Sequence, residues 1–139
     1  MFFYYYTTNS DPFLRHLKLE NFMGFQEWEH DFYPLTILAG NNTSGKTTVL
    51  NGIQVALGAI LQSFDVLPGN RLFRRQIQED ERYSPFDSFS KGYKPSSGQT
   101  RVSALSGIRS ANHVQGLEWS RELIGSTTSH NRRNVGELQ

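Results

Sequence analysis

The sequence predicts an α/β fold assembled around a phosphate-binding loop. Three adjacent features carry that prediction: an apolar run at Leu35–Ala39, a glycine-bounded octet at Gly40–Thr47, and an apolar helical face from Val49 to Leu61. Leu35, Ile37, Leu38 and Ala39 make a run of the length of a buried parallel strand, too short for a helix. The octet Gly40-Asn41-Asn42-Thr43-Ser44-Gly45-Lys46-Thr47 satisfies the pattern G-x-x-x-x-G-K-[ST] at every fixed position. Val49, Leu50, Ile53, Ala56, Leu57, Ile60 and Leu61 then recur at three- and four-residue spacing, which puts one apolar stripe on a helix. Strand, glycine loop and helix in this order are the context in which the pattern binds phosphate.

The chemistry expected there is that of the backbone. Gly40 leaves the strand with a positive φ, and Gly45 lets the loop approach a ligand with no Cβ between them. Loop N–H groups and the first turn of the helix then face one anion. Lys46 is expected at the β- and γ-phosphates and the Thr47 hydroxyl at Mg²⁺. The expected nucleotide-contacting set is Gly40, Asn41, Asn42, Thr43, Ser44, Gly45, Lys46, Thr47 and Thr48. ATP and Mg²⁺ are the expected cofactors.

Taken in order, the chain opens with an aromatic segment, Phe2–Asp11, closed by the turn cluster Asn9-Ser10-Asp11-Pro12. Residues 1–12 are read as a loosely attached leader and residues 13–125 as the domain. Phe13–Glu20 is a predicted strand, with Leu17 and Leu19 on one face and His16, Lys18 and Glu20 on the other. Asn21–Phe25 is a turn with aromatic anchors around Gly24. Glu27–Phe32 alternates Trp28, His30 and Phe32 against Glu27, Glu29 and Asp31, a half-exposed antiparallel strand. His30 is read as a packed histidine, since no second His or Cys lies at ligand spacing. These two strands are expected to flank a central Leu35–Ala39 strand in a mixed sheet, with the helix packed upon it.

Beyond the helix, Pro68-Gly69 breaks the chain, and Arg71–Arg82 is read as a further helix with a weak apolar face. Tyr83–Thr100 is rich in Ser, Pro, Gly and Lys and reads as a flexible loop. Val102, Ala104, Val114, Leu117 and Trp119 suggest two short antiparallel strands within Arg101–Leu123. Residues 126–139 read as a polar tail, disordered over Ser126–Arg133.

A chain of 139 residues holds one domain with a modest core. Its net charge is +1, unevenly spread. Residues 1–70 carry three basic and six acidic side chains; residues 71–139 carry eleven and seven. The basic second half permits contact with a phosphate backbone. The absence of cysteine excludes disulfides and cysteine-ligated zinc. Met1–Tyr6 lacks the basic region and length of a signal peptide, and no run reaches the roughly 18–20 apolar residues of a membrane span. A cytoplasmic location is therefore expected, with no membrane partner.

Leu17, Leu19, Asn21 and Phe22, then Phe32, Pro34, Leu35, Thr36, Leu38 and Gly40, then Asn42, Ser44, Gly45, Lys46 and Thr47 form an extended series. The series, continued through Leu50, Ile53, Ala56 and Leu57, resembles the N-terminal lobe of ABC-type P-loop ATPases of the SMC, RecF, SbcC and OLD group. The resemblance implies the head of an ATP-driven machine acting on DNA in repair, DNA metabolism or anti-phage defence. It also implies a head-to-head dimer with ATP between the heads, and Asn42 beside the γ-phosphate.

This chain departs from the group's pattern in ways that bear on catalysis. Met23 stands where members often carry a basic residue. No apolar strand ending in Asp-Glu follows Leu61, and Phe64-Asp65 follows the helix too directly to serve. Leu105-Ser106-Gly107 is only a fragment of the S-G-G signature, and neither Gln99 nor Gln115 is singled out as a Q-loop residue. Phosphoryl transfer requires a metal held from two sides and a group that orients water. With no catalytic acid identified, the chain reads as an N-terminal lobe, either truncated or completed by another polypeptide. The alternative is a non-catalytic nucleotide-binding module. A small kinase would use Arg71, Arg74 and Arg75 as lid residues but lacks an acceptor motif, and a GTPase is disfavoured by the lack of N-K-x-D and D-x-x-G.

Overall fold

Alternation in the second strand organises the molecule. In the computed structural model, which describes residues 2–6, 14–63, 75–110, 113–124 and 127–137, Leu17, Leu19 and Phe22 are completely buried. They lie on β2 (Leu14–Phe22), which pairs antiparallel with β3 (Phe25–Asp31) on one edge. Its other edge pairs with β7 (Arg101–Ser110), setting Leu17 opposite Ala104 and Leu19 opposite Val102. A second hairpin continues the sheet through β8 (His113–Ile124) and β9 (Thr127–Glu137), giving the order β3-β2-β7-β8-β9, antiparallel throughout.

One helix, α1 (Lys46–Ser63), lies across β2, β7 and β8. Val49, Val55 and Ala56 meet Leu17, Leu19, Val102, Ala104, Trp119 and Leu123 in a single core. The close approach is written in the helix: a Cβ on Gly52 would fall 2.5 Å from Leu19 Cδ2. Two side chains of β8 reach up to the helix. Trp119 Nε1 donates to the Ala56 carbonyl at 3.0 Å, and Arg121 Nη1 donates to the carbonyls of Val55 (3.3 Å) and Arg75. Burial and the neighbouring Arg75 charge hold the Arg121 guanidinium below its ordinary pKa.

The strand before the glycine loop, β4 (Leu35–Ala39), stands apart from this sheet. It pairs antiparallel with β1 (Phe2–Tyr6) in a two-stranded sheet. The expected mixed sheet with β4 at its centre is thus corrected. The strands of residues 13–20 and 27–32 do not flank β4. They pair with each other through the tight Met23-Gly24 turn, and β7 takes the other edge of β2. Nor is β4 covered on both faces, because Leu35 and Ile37 are about half exposed, at 52% and 49%. A short apolar run is equally compatible with one-sided packing, so its composition does not fix its place in a sheet.

Other expectations also change. Phe2–Tyr6, read as part of a loose leader, is strand β1. The segment read as a polar, partly disordered tail supplies β9, because the outer edge of β8 offers main-chain partners that polar side chains do not obstruct. The strands within Arg101–Leu123 are present but longer than expected. In place of a helix at Arg71–Arg82, the described part, residues 75–82, holds no α-helix, only one 3₁₀ turn at Glu79–Glu81 flanked by extended Gln78 and Arg82. Phe64 to Arg74 lie outside the described residues. Within Tyr83–Thr100 the loop is interrupted by a small hairpin, β5 (Phe86–Asp87) and β6 (Gly92–Tyr93).

Candidate functional site

The residues singled out from sequence fall in one place, where β4 passes into α1. Gly40 to Gly45 form the connecting loop, and Lys46, Thr47 and Thr48 form the first turn of the helix. Gly40 has φ 158°, near extended backbone, whereas Gly45 has φ 90°. Gly45 is therefore the position where glycine is required. A Cβ there would also lie 2.5 Å from Phe25 Cζ, so the Phe25 ring packs directly against the loop backbone. Ser44 closes the loop, with its N–H and its Oγ donating to the Asn41 carbonyl at 3.0 and 2.7 Å.

Gly45 occupies the N-cap, and its carbonyl accepts from Val49 N at 3.0 Å. Having no side chain, it leaves the first helical N–H groups for another acceptor, at the positive end of the helix dipole. The Lys46 ammonium folds back across the loop, donating to the carbonyls of Gly40 and, at 2.7 Å, Asn41. Thr47 is exposed, while Thr48 is buried, its Oγ1 3.6 Å from where a Cβ on Gly24 would be. Of the two threonines that follow Lys46, Thr47 is thus the one open to solvent.

Sequence reasoning did not foresee how firmly the Asn21–Phe25 turn underpins this loop. Asn21 and Met23 both adopt left-handed backbone, at φ 48° and 47°. Asparagine tolerates that region well; methionine does so only when its surroundings impose it. The surroundings are explicit. Met23 N donates to the Glu81 carbonyl at 2.6 Å and Tyr83 N to the Asn21 carbonyl at 2.9 Å. The Asn21 side chain donates to the Gln99 carbonyl at 3.2 Å and accepts from Ser96 Oγ at 3.2 Å. Glu81, largely buried, is held in turn by a two-pronged ion pair with Arg75. From the turn, Phe25, Trp28, His30 and Phe32 continue as a file of rings 5.7–6.1 Å apart, the apolar face anticipated for β3. The sequence signal for the turn was its two aromatic anchors around Gly24; for the Arg75–Glu81 pair there was none.

The remaining sequence candidates do not line the loop itself. Leu105-Ser106-Gly107 lies mid-strand in β7, opposite Gly116–Glu118. Gln99 Nε2 donates to Glu122 Oε2 at 2.6 Å, and Gln115 stands in β8 between Ile108 and Glu137. Arg75 is engaged by Glu81, and Arg71 and Arg74 lie outside the described residues. Among the described residues no cluster of His, Asp and Glu is arranged to hold a metal ion. Among them, too, no helix is long and apolar enough to cross a membrane.

A family model described as an AAA domain matches residues 16–137, from β2 through β9. No curated protein matches. The AAA match carries with it an ATPase-type, nucleotide-binding domain. With most of its length covered by that model, the chain belongs to the AAA domain family.

Proposed function

We propose that this chain is the N-terminal, ATP-binding lobe of an ATPase of the SMC, RecF, SbcC and OLD group, whose complete form hydrolyses ATP. The observation that carries the reading is the junction of β4 and α1. A loop that only glycine can complete at residue 45 leads into an uncapped helix N-terminus, with Lys46 folded over it. Loop and helix N–H groups would take the phosphates, Lys46 would exchange its two carbonyl partners for β- and γ-phosphate oxygens, and Asn42 would lie beside the γ-phosphate. The exposed Thr47 hydroxyl fits one ligand position of Mg²⁺, which when bound would neutralise charge on the phosphates.

Among the described residues no metal-facing acid and no water-orienting group is identified at the loop, so hydrolysis is assigned to a complementary lobe. The incomplete cover of β4 supports that assignment: among the described strands it pairs with β1 alone, and Leu35 and Ile37 remain half exposed. The head-to-head dimer, DNA as ultimate partner, a role in repair or anti-phage defence, and a cytoplasmic setting belong to the same proposal. A non-catalytic nucleotide-binding module is the second reading, favoured by the missing acid.

Binding of a fluorescent ATP analogue with Mg²⁺ tests the proposal, native chain against Lys46→Ala. Micromolar binding that the variant loses is the expected result; equal signals from the two proteins would overturn it. Turnover, measured alone and with candidate partner lobes, separates the two readings.

A further inference from the structure

The β5–β6 hairpin has no role in the site described above, yet it is tightly built. Phe86 pairs with Tyr93 and Asp87 with Gly92, and Lys91 closes the turn with a left-handed φ of 51°. Asp87 braces the turn from inside. Its carboxylate accepts from Phe89 N at 3.1 Å and Ser90 Oγ at 2.8 Å and lies 2.8 Å from Lys94 Nζ. The base is tied down by Lys94 N to the Pro85 carbonyl and Ser96 N to the Tyr83 carbonyl, at 3.2 and 2.7 Å.

This framework displays aromatic rings to solvent. Phe89 is 98% exposed, Tyr93 75% and Phe86 59%. Phe86 and Tyr93 meet edge to face at 5.5 Å, so they form one platform, with Phe89 at the tip. Rings gathered in so short a segment, on a turn braced by hydrogen bonds, stand outside the core formed by the described residues. Charge selects their occupant. The hairpin's one acid is consumed by its own turn, whereas Lys91 stands beside the tip, and residues 71–139 hold eleven basic against seven acidic side chains. Flat apolar faces beside the Lys91 ammonium match unpaired bases strung on a phosphate backbone.

We propose that the β5–β6 hairpin is a docking finger for single-stranded nucleic acid, its rings stacking on unpaired bases and Lys91 facing phosphate. The finger stands on the same framework as the phosphate loop, since Tyr83 and Ser96 bond to Asn21, whose turn carries Phe25 to Gly45. Docking itself requires no nucleotide.

Fluorescence anisotropy of a labelled oligothymidylate of roughly 20 nucleotides, beside a matched duplex and without ATP, tests this on the full chain. The expected result is preference for the single strand, weakened about tenfold or more by Phe89→Ala and further by Phe86→Ala with Tyr93→Ala. Lys91→Glu should weaken binding and flatten its salt dependence. These side chains are exposed, so an unchanged thermal transition verifies that each variant is folded. No binding by the native chain, or aromatic variants that bind like it, would overturn the proposal. So would variants that leave oligonucleotide binding intact but change the particle mass by light scattering, which would make the finger a protein contact.

Discussion

Gly45→Ala is the sharpest test of how the phosphate loop is held. Two separate costs fall on this change. The backbone sits at φ 90°, where an L-residue with a Cβ is strained by about 1–2 kcal/mol. The new Cβ would also stand 2.5 Å from Phe25 Cζ, roughly an ångström inside ordinary contact, and overpacking of that kind costs about 1–3 kcal/mol. Together they take about 2–5 kcal/mol from a native stability on the order of 5–15 kcal/mol. For a domain of this size each kcal/mol moves the midpoint by about 3–5 °C, so thermal unfolding should begin roughly 6–25 °C earlier. Phe25→Ala separates the two terms. It removes the ring and its packing, and it also removes the clash, so the double variant should lose about 1–3 kcal/mol less than the sum of the single ones. Circular dichroism melts of the four proteins supply the cycle. An additive cycle, or a Gly45→Ala midpoint within about 2 °C of the native one, would refute the account of Phe25 as the floor of the loop.

Three further outcomes are expected. Arg121→Ala should destabilise the chain by about 2–4 kcal/mol in urea unfolding, because the buried carbonyls of Val55 and Arg75 lose a charged donor. Gly52→Ala should also destabilise, by up to about 2 kcal/mol in the same assay, since the gain in helix propensity of about 1 kcal/mol is outweighed by overlap with Leu19. Asp87 should titrate below 3.8 by carboxyl NMR, held down by Lys94, then Ser90 and the Phe89 N–H. Its support of the hairpin is therefore complete above the unfolded value of 3.8 and lost as pH falls through the lower folded one, which the Phe89 amide resonance will follow.

The residues around the glycine loop were legible because local chemistry decides them. A G-x-x-x-x-G-K-[ST] octet between an apolar run and a 3.6-residue periodicity specifies its own strand, turn and helix, and α1 begins at Lys46 as that pattern requires. Alternation likewise marked Leu17 and Leu19 as core and gathered Trp28, His30 and Phe32 on one face. Pairing partners were another matter. Sequence periodicity states which face of a strand is apolar but not which strand lies beside it, so β4 was placed at the centre of a sheet from which it is separate. The polar segment Thr127–Glu137 could not be recognised from composition, since main-chain bonding to β8 orders it. Only the tertiary structure brought Phe25 under Gly45, put Glu81 behind Met23 and turned Thr48 inward while leaving Thr47 exposed. Such contacts join residues far apart in the chain, and they are set by the packing of a helix on a sheet, which no local pattern encodes.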